Sequence, residues 1–420
     1  MRELPRRIGL VGSFALAFNG TVAASIFALP ATLAADFGAF SPLLFPIVAF
    51  AAMLIVIPFS LSAAAFPESG GPAAYGAVFG RFAGFEAGWI YYVARATAFA
   101  ANANVLTAYL ARWLAGADEG ALRISLLLAA TTLFAAINIA GVRRSIGLLA
   151  ALAVLKAVPL FVAAGAALAL TFPWPAPAPA PTLTEFEAGL LIVFYAFVGF
   201  ENAVIPAGET KAPSRNLPRA ILITIGVTTL LYFLVQLAFV SALPAGGTDK
   251  KAPLIDLGSW LMGPAGAAIL TLAAVASLSG SLHGLMTSTP RVTYALGLRG
   301  DVPAWFARVQ PKLETPANSI IFFALFSGAL AVSGSFVWLA VVSTLARMIV
   351  YTVAIAALPR APKRRRVTAW HWLVGALGIA VCAWAAAQAD AKAWITLAVL
   401  AAAGLVLYVL ASAAPSRQPQ

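Results

Sequence analysis

Asn19-Gly20-Thr21-Val22-Ala23-Ala24-Ser25-Ile26-Phe27-Ala28-Leu29-Pro30 and Tyr195-Ala196-Phe197-Val198-Gly199-Phe200-Glu201-Asn202-Ala203-Val204-Ile205-Pro206 share one layout. Each lies inside a long apolar run. Each joins small residues, a polar side chain at mid-run and a Pro one or two turns later. Taken singly, either could be an ordinary kink, because Gly and Pro are common in membrane helices. Taken together, they open two successive groups of five apolar runs. Paired interruptions at matching places point to an inverted-repeat carrier whose site lies at mid-membrane. Unwound backbone in hydrocarbon has to face a cavity or a ligand. The free N–H groups of a half-helix suit an anion, and the free carbonyls suit a cation. A zwitterion carries both.

The surrounding composition agrees. Of 420 residues, 62% are hydrophobic and 10% charged, and the mean hydropathy is +0.92. A soluble domain carries about 25% charged residues, so a water-soluble enzyme, a disordered chain and a secreted disulfide scaffold are all excluded. One Cys and two His leave no material for a disulfide or for the usual metal and haem sites. No cofactor is expected. Apolar segments fall near 8–33, 42–65, 84–112, 121–140, 146–172, 186–207, 219–243, 262–290, 317–333, 336–358, 371–388 and 393–413. Each approaches the ~20 residues that a helical span needs. None shows the alternation of a β-barrel strand. The expected fold is all-α and integral to the membrane, with twelve spans.

Charge placement sets the expected topology. Nineteen of the 27 Lys and Arg fall on the side that holds the N-terminus, five on the other, and three inside spans. The positive-inside rule then puts both termini in the cytoplasm. By the same rule the basic run at 363–366 is a topology anchor, and the net charge of +12 does not signal nucleic acid. The apolar N-terminal stretch is long and eleven further spans follow, so it reads as a retained helix and not a signal peptide. The Pro-alternating FPWPAPAPAP (172–181) separates five spans from the next five. The expected units are 1–173, 174–360 and 361–420, two opposed five-helix repeats followed by two extra helices.

Three motifs resemble the amino acid–polyamine–organocation (APC) superfamily of permeases. FYAFVGFENAVIPAGETKAPSRNLPRAI (194–221) resembles its aromatic-x-F-x-G-F-E…E-x-K-x-P-x-R-N-x-P-R-A-I signature. FPESGGPAAYGAVFGRFAGFEAGW (66–89) resembles its P-x-S-G-G-x-x-x-Y run, and PRVTYALGLRGDVPAWFARVQPKLETP (290–316) its P-R-x-x-Y-A-x-A-R-D-G stretch. Two places depart from the pattern. The family's G-S-G-I-F is Ala23-Ala24-Ser25-Ile26-Phe27 here, and its A-R-D-G is replaced by Gly297-Leu298-Arg299-Gly300-Asp301. The resemblance implies a leucine-transporter-like fold and a multi-pass protein of the cytoplasmic membrane. It implies backbone N–H groups of Ala23, Ala24 and Ser25 on a substrate carboxylate. The carbonyls of Thr21, Tyr195 and Val198 would hold the substrate amine, with Tyr91 and Phe99 along its side chain.

Four ionisable residues fall inside spans: Arg95, Lys156, Glu201 and Arg347. Each costs ~2.5–3.5 kcal/mol at mid-membrane even on the lenient insertion scale. Three cations against one anion favour a ligand with a carboxylate and disfavour a polycation. Arg95, Arg347 and Glu201 are either a structural network or substrate contacts. LAVLKAVPL (152–160) resembles a stretch where some family members keep a Lys beside the unwound first helix, so Lys156 is the candidate coupling residue. Its two readings are an ammonium that exchanges its proton and a fixed donor to helix carbonyls. The expected activity is secondary transport of a small or medium neutral L-amino acid, with proton symport, or exchange or export without it. A polyamine carrier lacks paired buried carboxylates. A membrane enzyme lacks a nucleophile–base pair, and a channel lacks a polar stripe. The sequence gives no sign of an oligomeric state.

Overall fold

The structure, a computed structural model, describes residues 8–66, 71–140, 146–176, 179–204, 207, 210–243, 250–361 and 368–413, with side chains from 153 onward in the helix that begins at 146. The basic run at 363–366, Ile205, Pro206 and most of the P-x-S-G-G run lie outside them. Among the described residues the chain is helical, with two isolated bridges and no strand. Fifteen helices are described: α1 (Leu10–Thr21), α2 (Ala24–Phe37), α3 (Ser41–Ala65), α4 (Pro72–Ala77), α5 (Arg81–Leu110), α6 (Gly120–Ile139), α7 (Ile146–Leu170), α8 (Leu183–Tyr195), α9 (Pro213–Ala242), α10 (Pro253–Ser288), α11 (Pro290–Leu298), α12 (Ala317–Ser333), α13 (Phe336–Ala357), α14 (Ala369–Ala387) and α15 (Ala391–Ala413). Nine helical stretches among the described residues are long and apolar enough to cross a membrane.

The apolar segments expected as spans fall on these helices, with three physical differences. The first span is two helices, because Val22 (φ −82°, ψ 88°) and Ala23 (φ −135°, ψ −128°) leave the helical region. Neither φ is positive, so the break forms without the family's glycines. The sixth span stops as an α-helix at Tyr195. The chain turns, passes Gly199 at φ 107°, and continues as a short 3-10 turn from Phe200 to Ala203. The eighth span begins earlier than expected, at Pro253, and bends at Met262 and Gly263. The segment before the bend is a separate limb whose Leu254 and Leu257 are buried.

α5 is the central post, buried along almost its whole length and packed against α4, α10, α12 and α13. α1 lies against α7 and α9, while α2 lies against α9 and α10. The two breaks meet at Gly20 and Gly199. A Cβ on either glycine would run into the other's carbonyl oxygen, so the backbones can touch only without side chains. Carbonyls freed around the first break are satisfied by side chains from other helices, as a dry interior requires. Lys156 Nζ of α7 donates to Val22 O at 2.8 Å, Tyr232 Oη of α9 to Thr21 O at 3.0 Å, and Tyr109 Oη of α5 to Phe27 O at 2.8 Å.

Candidate substrate site

A small cavity lies where the two breaks meet. Gly20, Thr21, Ala23 and Ser25 line it from the first break. Tyr195, Val198, Gly199 and Asn202 line it from the second. Ala98 and Asn102 of α5 form a third wall. Ser281 and Leu285 of α10 and Arg347 of α13 complete it.

The α2 N-terminus opens here. The first N–H groups of a helix lack intrahelical acceptors and carry partial positive charge. One of them is already engaged: Ala24 N–H donates to Asn102 Oδ1 at 3.1 Å, and Asn102 Nδ2 donates to Ser281 Oγ at 3.0 Å. Ala23 N–H turns back to Thr21 O at 3.1 Å. Ser25 Oγ and Tyr232 Oη share a hydrogen bond at 3.0 Å. The amide of Asn102 therefore holds part of the place that a carboxylate would take.

The buried charges resolve into three arrangements. Arg347 Nε and Glu201 Oε1 form an ion pair at 2.8 Å, nearly free of solvent. The other oxygen of Glu201 accepts from Gly199 N–H at 2.8 Å and Tyr351 Oη at 3.0 Å. Arg347 also donates to Ala94 O at 3.0 Å and to Ser343 Oγ. A carboxylate with three donors and a guanidinium with several acceptors meet the condition for burying such a pair. Glu201 thus fixes the second break from behind and does not line the cavity.

Arg95 is not part of that pair. Its Nε donates to Thr289 Oγ1 at 2.9 Å and its Nη1 to Tyr91 Oη at 3.1 Å. Asn202 Oδ1 and Ser288 Oγ accept its remaining bonds. Four neutral acceptors surround the guanidinium, and no carboxylate stands within ion-pair distance among the described residues. Lys156 is the third arrangement. Its ammonium reaches Val22 O and, at 3.5 Å, Asn19 O, and Ser277 Oγ shares Val22 O at 3.4 Å.

Tyr91 and Phe99 were expected along the substrate, and the structure places both off the cavity. Tyr91 lies beneath Arg95, and Phe99 packs edge-on against Phe323 with centroids 5.6 Å apart. Asn102, Asn202, Ser281 and Arg347 bring polar groups into the lining. Asn102, Tyr232 and Ser281 bond at the first break or line the cavity although no motif of the sequence marks them. Asn102 carried a usable signal: an amide in mid-span is costly and stands at helical spacing from Arg95.

The model of a family described as amino acid permease matches residues 8–420. An uncharacterized transporter of Mycobacterium tuberculosis (strain H37Rv) is 29% identical, over 91% of this chain and 87% of its own. The D-serine/D-alanine/glycine transporter of Escherichia coli is 25% identical, over 66% of this chain and 63% of its own. The branched-chain amino acid permease BcaP of Bacillus subtilis is 28% identical over 40% of this chain and 37% of its own. With its membrane-length helices, its two facing breaks and this match, the chain belongs to the amino acid permease family of the APC superfamily and is a multi-pass membrane protein.

Proposed function

We propose that the protein carries a small neutral L-amino acid across the cytoplasmic membrane by alternating access, in symport with protons. The observation that carries this reading is the cavity at which the α2 N-terminus and the irregular backbone after α8 meet, with a buried ammonium behind it on the Val22 carbonyl of the first break. The substrate carboxylate would lie at the first N–H groups of α2, beside Ser25, and displace the Asn102 amide. The amine would lie among the carbonyls of Thr21, Tyr195 and Val198. A small polar lining suits a short side chain, and two of the relatives are named for carriers of neutral amino acids. The chain would fold as twelve spans, with opposed repeats in 1–173 and 174–360 and two further helices in 361–420, both termini cytoplasmic.

Lys156 would couple the two fluxes. Its ammonium holds the Val22 carbonyl on the unwound stretch, so loss of its proton would remove the charge that strengthens this bond and loosen α1 from α7. Among the described residues no carboxylate pins the charge, which leaves the proton free to exchange. The test is uptake into proteoliposomes of a labelled amino acid panel, with and without a pH gradient, for wild type and Lys156→Ala. Wild type should accumulate a small neutral amino acid against its gradient only with acid outside, and the variant should lose accumulation while still exchanging. A variant with full proton-driven accumulation removes Lys156 from coupling. Uptake of diamines alone overturns the substrate class.

A further inference from the structure

We infer that the Asn202 side-chain amide is a hydrogen-bond donor to the substrate, and that Arg95 is the positioning residue that turns its NH2 group into the cavity; this rests on the amino acid site proposed above. Asn202 lines the cavity and is half-buried. Its Oδ1 accepts from Arg95 Nη1. A guanidinium has donors only, so it fixes which end of the amide faces it. The NH2 end must then point the other way. It points at Gly20, where an added Cβ would strike Asn202 Nδ2. Among the described residues Nδ2 donates to no acceptor, although it stands beside the two breaks and the space between them. A donor left unused at the edge of a mid-membrane cavity is open to an acceptor on a ligand. An oxygen of the bound amino acid supplies it.

Arg95 stands one turn below the cavity. Ala98 and Asn102 lie three and seven residues further along the same face of α5. Its other bonds, to Thr289 and Ser288 at the end of α10 and to Tyr91 on α5, brace the guanidinium against two helices. The charge is therefore held in place without a carboxylate, and its cost becomes intelligible as the means of orienting one amide. A neutral residue at 95 would let the amide flip and present its oxygen to the substrate oxygen.

Asn202→Asp separates this role from a purely structural one. A carboxylate keeps the contact with Arg95, strengthened by charge, and puts an acceptor oxygen where the NH2 stood; Asn202→Ser, which brings no charge, should raise KM in the same direction and so separates the lost donor from charge repulsion. The empty variant in detergent should therefore melt at or above the wild-type temperature. Stabilisation by the amino acid that stabilises wild type should vanish, and KM for its uptake should rise about tenfold or more. Arg95→Lys, which keeps the charge with fewer bonds, should raise KM by a smaller factor with the maximal rate nearly unchanged. Asn202→Asp with wild-type KM and wild-type ligand stabilisation overturns the inference. So does Arg95→Lys with unchanged KM, for the positioning role. If no amino acid stabilises wild type, it is the proposed substrate class that fails and not the orientation of Asn202. Should Asn202→Asp not fold, Asn202→Ser provides the same KM readout, with the same rise expected and an unchanged KM again overturning the inference.

Discussion

At the scale of single residues, the site is organised by what each buried charge has to touch. Glu201 satisfies three donors at once: the Arg347 guanidinium, the Gly199 N–H and the Tyr351 hydroxyl. Glu201→Gln keeps the shape but leaves Arg347 charged and unpaired in a dry interior. Breaking one side of a buried pair costs about 3–5 kcal/mol. The variant should therefore unfold in detergent at a clearly lower temperature or denaturant concentration than wild type. A melting temperature equal to wild type would mean that the pair does not hold the second break. The composition announced these charges, since four ionisable residues inside apolar runs are visible to any count. Their partners were not visible. Arg347 finds Glu201 from 146 positions away, and Arg95 finds only hydroxyls and an amide, although both arginines look alike on the page. Pairing among buried groups is decided by helix packing, which a single sequence does not state.

At the scale of elements, the two breaks are one device, because Gly20 and Gly199 touch. Gly199 also holds φ at 107°, a region that side chains rarely enter. Gly199→Ala should carry strain of about 1–3 kcal/mol from its backbone alone, added to the collision with Gly20. Transport should be lost, and the yield of monodisperse protein should fall. Gly226→Ala is the control. Gly226 faces outward within α9 with open space around it, and there Ala gains about 0.5–1 kcal/mol of helix stability over Gly. Equal behaviour of the two variants would show that the breaks tolerate separation. Both breaks were legible, because small residues, a mid-run polar group and a later Pro are local signals. The face of α5 was not. Tyr91 and Phe99, eight apart, were assigned together to the cavity, yet the lining residues are Ala98 and Asn102. An amphipathic helix betrays its inner face by polarity, but α5 is buried all round and its periodicity carries no such mark.

At the scale of the molecule, the two ends of α5 are sealed unequally. At its first residue, Arg81 meets Asp301 at 2.8 Å, and Arg299 meets the same carboxylate at 2.9 Å. The replaced A-R-D-G stretch therefore still supplies an acid that ties the loop after α11 to α5. On this side of the cavity Gly20, Asn202, Gly284 and Ser288 are only half-buried. At the other end the seal is deeper. Tyr109 Oη donates to Phe27 O of α2 and accepts from Leu254 N–H of the early limb of α10 at 3.3 Å, so one hydroxyl joins three helices. Lys251 adds an ion pair with Asp118 nearby, at 2.5 Å. In the alternating carrier proposed above this end would have to open to admit substrate from its own side, and the tyrosine would then act as a latch on α2 and the α10 limb together. Tyr109→Phe removes both bonds and keeps the ring against Phe27. Each such bond contributes about 1 kcal/mol, so the closed state should lose roughly a factor of five in weight per bond. The sole native thiol, Cys382, is buried, so a cysteine at Ala98 on the cavity wall can report the change once Cys382→Ala clears the background. A membrane-impermeant thiol reagent applied at the Leu110 end of α5 should label that cysteine at least fivefold faster in Tyr109→Phe. Bound substrate should slow the labelling in both proteins. An unchanged rate in a correctly folded variant would show that the seal at this end rests on packing and the Lys251 pair, and not on the tyrosine.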